Sequence, residues 1–515
     1  MKGNSMSKAT EKYGEEVVYC DAIYTPSPYP QHRGNPLVEA LPAFYNGTEP
    51  IEGFANYPPV GDAERRESHS YRLLAVSRLR TLIEVMPWHL GVMRDIYSTI
   101  WRGYEFRNPV ATRKEIVQRR YEKAKEDNGI FPMKDPAPTH SSNIGLFGAS
   151  GVGKSTAVSR CLDFLPQVIR HPDYGFTQLV WLKVECPPNG SLSELMKWIL
   201  EAVDEVLDTQ YASRIKERTT LPARMSIVGK VLEEHFTGFL VIDEVQNVLA
   251  DAKSRNRNID FFMTFVNKIH VPSMHIGLAT ALELYPENIH SRRRAADGGI
   301  RLLDPQLSEE EWSDYIDELS RYQWTRRLAS RDVLDKGLKE HSQRNICIAN
   351  RLYELAQAMA IESDVESLTY AFIRKVARTR FSLVKPFVDA IQRKDEEAIA
   401  ENSAAVEKLS DDVREDVQNA IDRATIQKLV AKKSAHEVIS KATANLISLG
   451  MPQDHVVRQL KRLAEQNPGC DAIFLVAKYL ERRRADDVQR RGNLEKQVAE
   501  ELFREHESLN GRGKN

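Results

Sequence analysis

One nine-residue run, Gly148-Ala149-Ser150-Gly151-Val152-Gly153-Lys154-Ser155-Thr156, concentrates the chemistry of this sequence. From Gly148 to Ser155 it has the spacing G-x-x-x-x-G-K-[ST] of a phosphate-binding loop. An apolar run, Ile144-Gly145-Leu146-Phe147, precedes it, and the helical-looking Thr156–Leu162 follows. The glycines let backbone N–H groups turn inward around a phosphate chain, and the helix N-terminus adds unpaired N–H groups and partial positive charge. Lys154 is placed to reach the β- and γ-phosphates and the Ser155 hydroxyl to hold Mg²⁺. Gly148, Ser150, Gly151, Val152, Gly153, Lys154, Ser155 and Thr156 are therefore the expected nucleotide-binding residues, with ATP and Mg²⁺ as cofactors.

The second cluster is Asp243-Glu244, at the end of the apolar strand candidate Phe239-Leu240-Val241-Ile242. In parallel sheets, ligands lie beyond the carboxyl ends of strands, where a phosphate loop also lies. This is a Walker B arrangement: Asp243 holds Mg²⁺ through its water shell, and Glu244 polarises the water that attacks the γ-phosphate. The strand candidate Met274–Leu278 ends in Ala279-Thr280, which makes Thr280 the expected sensor of that water or phosphate; a strand-end turn residue is the plain alternative. Arg292, Arg293 and Arg294 are candidates for an arginine that completes a neighbouring subunit's site, since spread transition-state charge rewards a fixed guanidinium. The sequence does not choose among them, and a solvated or DNA-facing basic loop is the other reading. Arg344, at the start of a later helix, is a candidate phosphate contact from the same subunit.

Positioning these groups requires an alternating α/β core. Strand candidates are Ile144–Phe147, Leu179–Val184, Phe239–Ile242 and Met274–Leu278, interleaved with helices near Ser155–Leu165, Ser191–Leu207, Pro222–Glu234 and Ile259–Ile269. Such alternation implies a parallel sheet covered on both faces. From Ser308 onward the pattern is helical only, opening on a capping box, Ser308-Glu309-Glu310-Glu311. The expected division is an extended arm over 1–60, rich in Pro, Tyr, Gly and Asn, and a small helical N-terminal domain over 61–135, where Leu73, Val76, Leu79 and Ile83, then Val92, Ile96 and Ile100, recur at three- and four-residue steps. An ATPase core over 136–305, a helical lid over 306–395 and a charged helical extension over 396–515 follow.

Composition limits the partners. The 515 residues carry 72 Lys+Arg against 73 Asp+Glu, a formal net charge of −1, so any nucleic-acid contact comes from a local patch. None of the 5 cysteines forms a C-x-x-C pair, which argues against a zinc site or disulfide framework and for a reducing cytoplasm. The polar start MKGNSMSKATEKYGEE lacks the apolar core of a signal peptide, and no run approaches the ~18 apolar residues of a membrane span.

A strand-borne sensor and an all-helical lid after the Walker B strand resemble the AAA+ class. GFLVIDEVQNV and FFMTFVNKIHVPSMHIGLATALEL, with Gln246, Asn267 and Val271-Pro272, resemble the TnsC/TniB family of transposition ATPases. So do the N-terminal segments Asn35–Pro42 and Arg102–Pro109, and the lid segment HSQRNICIANRLYELAQAMAI. The likeness runs from about residue 20 to about residue 400. Two positions depart from that family: Ala279 stands where Gly is usual, and Arg344 where a small residue is expected.

The resemblance implies a bacterial, cytoplasmic and nucleoid-associated regulator of a heteromeric, Tn-type transposon. Such a protein assembles with ATP as a homo-oligomeric ring or filament on duplex DNA. It receives a TniQ/TnsD-like target adaptor, recruits transposase subunits through its tail, and limits the assembly's lifetime by hydrolysis. Asn189 in the loop 186–191, Lys197 on the helix after it, and the cluster Arg214, Lys216, Arg218 and Thr219 are the candidate DNA contacts; each also reads as a solvated loop. Other readings of the chain are a replication initiator or helicase loader, a nucleotide-gated scaffold that hydrolyses little, and a NACHT-like signalling ATPase.

Overall fold

Along β7 (Phe239–Asp243) every residue is buried, and successive side chains feed two different cores. Phe239 and Val241 join one core, Leu240 and Ile242 the other. That two-residue period, apolar on both sides, is what a strand covered on both faces requires. The structure, a computed structural model, describes residues 12–13, 17–43, 49–105, 107–110, 143–251, 253–285 and 299–486.

β7 lies in a five-stranded sheet of order β6-β7-β8-β3-β9, where β3 is Asn143–Gly148, β6 Trp181–Glu185, β8 Ser273–Gly277 and β9 Gly299–Leu303. All its pairings are parallel. This is an AAA+ fold, with helical regions before and after the sheet. One face carries the helices Leu192–Leu207, Leu221–Glu234 and Arg255–Lys268. The other carries the helix Pro87–Glu105 and the helix Lys154–Leu162 that follows the phosphate loop.

Three details differ from the sequence reading. The expected strand Leu179–Val184 breaks at Val180: Phe176–Leu179 forms β5, and only Trp181–Glu185 enters the five-stranded sheet. The N-terminal helices bury Val92, Ile96 and Ile100 in the same core as Ile144, Leu146 and Val241, so this segment shares the sheet's core rather than enclosing its own. Part of the expected arm is also structured. β2 (Val17–Asp21) pairs in parallel with β4 (Val168–His171), within a small sheet of order β1-β2-β4-β5 whose β1 is Lys12–Tyr13.

The lid comprises helices Glu309–Leu319, Arg331–Ser342, Ile346–Glu362 and Tyr370–Arg380. Its first helix begins on the capping box read from sequence: Ser308 accepts from the Glu311 N–H, and Glu311 accepts from the Ser308 N–H. The chain forms two compact units, Met1–Gln418 and Asn419–Asn515, dividing inside the helix Ser403–Ser448 rather than at the expected 396. The second unit has its own core of Ala442, Leu446, Val456, Leu460, Leu463 and Leu475.

Two carboxylate–arginine pairs fasten the N-terminal segment to the lid. Fully buried Arg72, on the helix His69–Val76, donates two hydrogen bonds to Glu366, of 2.6 and 2.5 Å, and a third to Trp324 O at 3.1 Å. Arg80 donates to fully buried Glu354 at 2.7 Å. Burial alone would raise the Glu366 carboxyl, but hydrogen bonds from Arg72 and the Arg326 N–H outweigh it and hold it below its ordinary value. Deleting one partner of a buried pair strands the other charge, so Arg72→Ala should cost about 3–5 kcal/mol in denaturant unfolding. Because the folded carboxyl titrates low, Glu366 stabilises the fold at neutral pH and loses that contribution as pH falls through its depressed value. Glu366→Gln should therefore flatten the acid limb of the stability profile.

Candidate functional site

The phosphate loop leaves the sheet at the end of β3, between β8 and β9. Gly151 and Gly153 take φ of +78° and +88°, values that side-chain-bearing residues adopt only at a cost. The Lys154 ammonium folds back onto the loop, donating to Gly148 O at 3.1 Å and Ala149 O at 2.8 Å. Burial lowers its pKa to about 8, against the opposing pull of Glu244, Asp243 and Glu407. The lysine is thus held on neutral carbonyls, ready to exchange them for phosphate oxygens.

Asp243 is buried at the end of β7. Its Oδ1 accepts from the Glu244 N–H at 3.0 Å, and its Oδ2 lies 3.4 Å from the Lys183 ammonium, which also donates to Ser159 at 3.0 Å. Glu244 sits at the turn after the strand in a left-handed conformation, φ 55°. Burial raises its pKa, and the neighbouring charges of Asp243 and Glu407 add to the rise; a hydrogen bond from Gln246 and the Lys154 charge oppose it.

Loop and glutamate face a cavity of about 400 Å³, within the ordinary range for small-molecule sites. Its lining is polar at Ser150–Thr156 and Glu244, and largely apolar at Phe54, Leu82, Ile83 and Met86 of the N-terminal segment. Tyr315, Ile346, Cys347, Asn350 and Arg351 of the lid close it. Tyr315 Oη, Asn350 Oδ1 and Arg351 Nε are buried without a hydrogen-bond partner, polar capacity that a bound ligand can take up.

The lid rests directly on the phosphate loop. The Cys347 N–H donates to Gly151 O at 3.2 Å, and Asn345 Nδ2 approaches Ser150 O at 3.4 Å. Glu407, on the first turns of the helix Ser403–Ser448, also lines the cavity.

The expected site residues do not all converge. Lys154, Ser155, Thr156 and Glu244 line one cavity, with Asp243 directly behind Glu244. Thr280 lies half-buried in the short turn Ala279–Leu284, while Leu278 is the residue of that strand end on the cavity. Arg344 does not line it: its guanidinium is held by Leu307 O at 2.7 Å, Glu309 at 2.6 Å and Gln306 at 3.3 Å. The lid arginine on the cavity is Arg351, two turns further along the lid helix, and Arg80 faces it from the N-terminal segment. Arg292, Arg293 and Arg294 fall outside the described residues.

The two candidate DNA segments lie together. Arg224 donates to Ser193 O at 3.2 Å, Thr219 O at 2.9 Å and Lys216 O at 3.4 Å, tying the start of the helix Leu192–Leu207 to the loop 215–220. Asn189 caps that helix region through the Ser191 N–H and Glu194. Lys197 pairs with Glu201 at 2.7 Å, and Arg214 stacks on the Tyr211 ring at 4.3 Å. The loop 186–191 also touches the Walker B turn, because Asn247 Nδ2 donates to Cys186 O at 3.0 Å.

Residues 139–284 match the AAA domain family, and the chain carries an AAA-type P-loop ATPase domain. No curated protein sequence matches the chain. Similar solved structures include Aeropyrum pernix ORC1 in complex with DNA, 13% identical, covering 62% of this chain and 94% of that one, TM-score 0.36. Pyrobaculum aerophilum Cdc6p is 13% identical, covering 59% and 86%, TM-score 0.33. Thermotoga maritima RuvB is 14% identical, covering 52% and 69%, TM-score 0.27.

Glu407 places an exposed carboxylate where a triphosphate would bring more negative charge. At 4 Å in a water-like dielectric such repulsion is worth about 1 kcal/mol. Glu407→Gln should tighten nucleotide binding several-fold in a fluorescent-nucleotide titration; unchanged affinity would show that the helix is drawn aside before nucleotide enters.

Proposed function

We propose that this chain is an ATP-hydrolysing regulator of DNA transposition, acting as a homo-oligomeric ring or filament on duplex DNA between a TniQ/TnsD-like target adaptor and transposase subunits. The observation that carries the ATPase reading is the convergence of Lys154, Ser155 and Glu244 on one cavity under a lid. The transposition reading rests on the sequence around the motifs, from Asn35–Pro42 to the lid segment, and its DNA side on the joined basic segments.

ATP is the substrate in this reading. The apolar wall at Phe54, Leu82 and Ile83 suits a base, and the loop N–H groups suit phosphates. Lys154 exchanges its two carbonyl partners for phosphate oxygens. Glu244 orients a water and accepts its proton, and burial beside the Asp243 charge makes its carboxylate more proton-accepting than an exposed one. Ser155 and Asp243 form a hard-oxygen donor set that suits Mg²⁺, and buried Asp243 already faces a cation in Lys183. Bound there, Mg²⁺ supplies neutralisation of charge on the transferring phosphoryl group.

Among the described residues after Leu303 every named element is a helix. No helix among the described residues is long and apolar enough to cross a membrane.

Lys154→Ala should abolish nucleotide binding and DNA-dependent assembly. Glu244→Gln should keep binding, lower turnover by about 100-fold or more, and leave long-lived oligomers visible on DNA by electron microscopy. Wild-type protein that hydrolyses nothing even with DNA would sink the enzyme reading and favour the scaffold. Lys197→Glu and Arg218→Glu should each weaken DNA binding and flatten its salt dependence by about one counterion; normal binding by both would remove this face from the DNA assignment.

A further inference from the structure

Gln246, in the turn Val245–Leu249 directly after the Walker B strand, makes two hydrogen bonds with opposite ends of one amide. Its Nε2 donates to Glu244 Oε2. Its Oε1 accepts from the Leu278 N–H at 3.1 Å, at the end of β8. Both residues at the far ends of this bridge, Glu244 and Leu278, line the nucleotide cavity. The fit is tight: a Cβ added to Gly277 would lie 2.6 Å from Gln246 Oε1 and 3.1 Å from a Val245 methyl.

We propose that Gln246 is a positioning residue that sets the orientation of the Glu244 carboxylate and ties it to the end of the β8 strand. This rests on the hydrolysis reading above. Glu244 leaves the strand with a left-handed backbone, φ 55°, so its side chain does not simply continue the line of β7. Asp243 accepts the Glu244 N–H but makes no hydrogen bond with its carboxylate. Lys154 acts on it through charge alone, its own donors being on loop carbonyls. The amide of Gln246 is the directional contact that aims the carboxylate. A carboxylate must meet its water within hydrogen-bond distance and at a usable angle. The other end of the bridge means that a shift of the β8 end relative to β7 re-aims Glu244. Sheet-end movement and hydrolytic competence are thereby coupled through one side chain.

A side chain needed only to satisfy the Leu278 N–H would have to supply an acceptor and nothing else. The donor half of the amide separates the two roles. Gln246→Glu is near-isosteric and keeps an acceptor for Leu278, but it faces Glu244 with a second carboxylate. Gln246→Ala removes both halves.

The test is steady-state ATP turnover with DNA, alongside nucleotide affinity by equilibrium titration and thermal melting. Misaiming a catalytic group by about 1 Å costs on the order of 100-fold. Gln246→Glu should therefore lower kcat by about tenfold to 100-fold, a larger factor than any weakening of nucleotide affinity by the added charge, in a protein that still melts cooperatively. The second measurement is a double-mutant cycle. In a Glu244→Gln background, Gln246→Ala should change the residual turnover by less than about twofold, because the group it aims is already gone. Three outcomes overturn the proposal: wild-type kcat in a folded Gln246→Glu protein, a loss carried mainly by nucleotide affinity, or full additivity in the cycle. If Gln246→Ala unfolds, Gln246→Glu in the same Glu244→Gln background supplies the cycle instead. Absence of turnover in wild-type protein would count against the hydrolysis reading itself and is distinguishable, since no variant is then needed to see it.

Discussion

The lid meets the phosphate loop at Gly151, and the shape of the cavity depends on that contact. Gly151 gives its carbonyl to the Cys347 N–H and has no side chain to keep the lid away. A Cβ there would lie 2.8 Å from Cys347 Cβ and 3.0 Å from both Asn345 Oδ1 and Val406 Cγ1. Three segments therefore meet at one glycine: the loop, the lid helix Ile346–Glu362 and the start of the helix Ser403–Ser448. Cys347 Sγ and Ser410 Oγ, 3.4 Å apart, extend the same junction. A phosphate chain that draws the loop N–H groups inward pulls on a backbone already bonded to the lid. The lid backbone is thus bonded directly to the loop whose N–H groups suit a phosphate chain.

How much of this could be read from residues alone follows from how local each interaction is. The phosphate loop, Asp243-Glu244 and the Ser308 capping box are decided within a few residues of chain, and each lies where the pattern put it. Strand breaks are less local. Leu179 and Val180 are as apolar as the residues after them, but Phe176–Leu179 pairs antiparallel with Val168–His171, and that distant partner takes it into a different sheet. The N-terminal helices showed their apolar stripe in sequence; that the stripe would be spent on the central sheet was not visible, because helix period gives a face and no address.

The cavity walls were hardest to foresee. Arg344 looked suitable because it precedes a lid helix, yet Leu307, Gln306 and Glu309 claim its guanidinium. Arg80, Arg351 and Glu407 come from three distant segments and carry no motif; only folding brings them to the same space. The same holds for Arg224, a residue in a helix with no basic cluster around it, which joins two loops that the sequence presented as separate basic patches. Long-range ion pairs and backbone contacts of this kind have no periodicity, so a single sequence offers no signal for them.

The charges around the cavity divide the labour between holding and reacting. Arg80 and Arg351 both bond to Glu354, at 2.7 and 2.9 Å, one from the N-terminal segment and one from the lid. A carboxylate with no exposed surface that holds two guanidinium groups gives a wall that persists whether or not phosphate is present. Lys154 is different, since both of its hydrogen-bond acceptors are neutral carbonyls of its own loop. Moving a guanidinium off a buried carboxylate would strand that charge, at a cost of several kcal/mol. Moving an ammonium off a carbonyl onto phosphate replaces a neutral hydrogen bond with a charge-assisted one. Lys154 is therefore the cation on this cavity whose partners a phosphate oxygen can replace at least cost, while Arg80 and Arg351 join the N-terminal segment to the lid through Glu354.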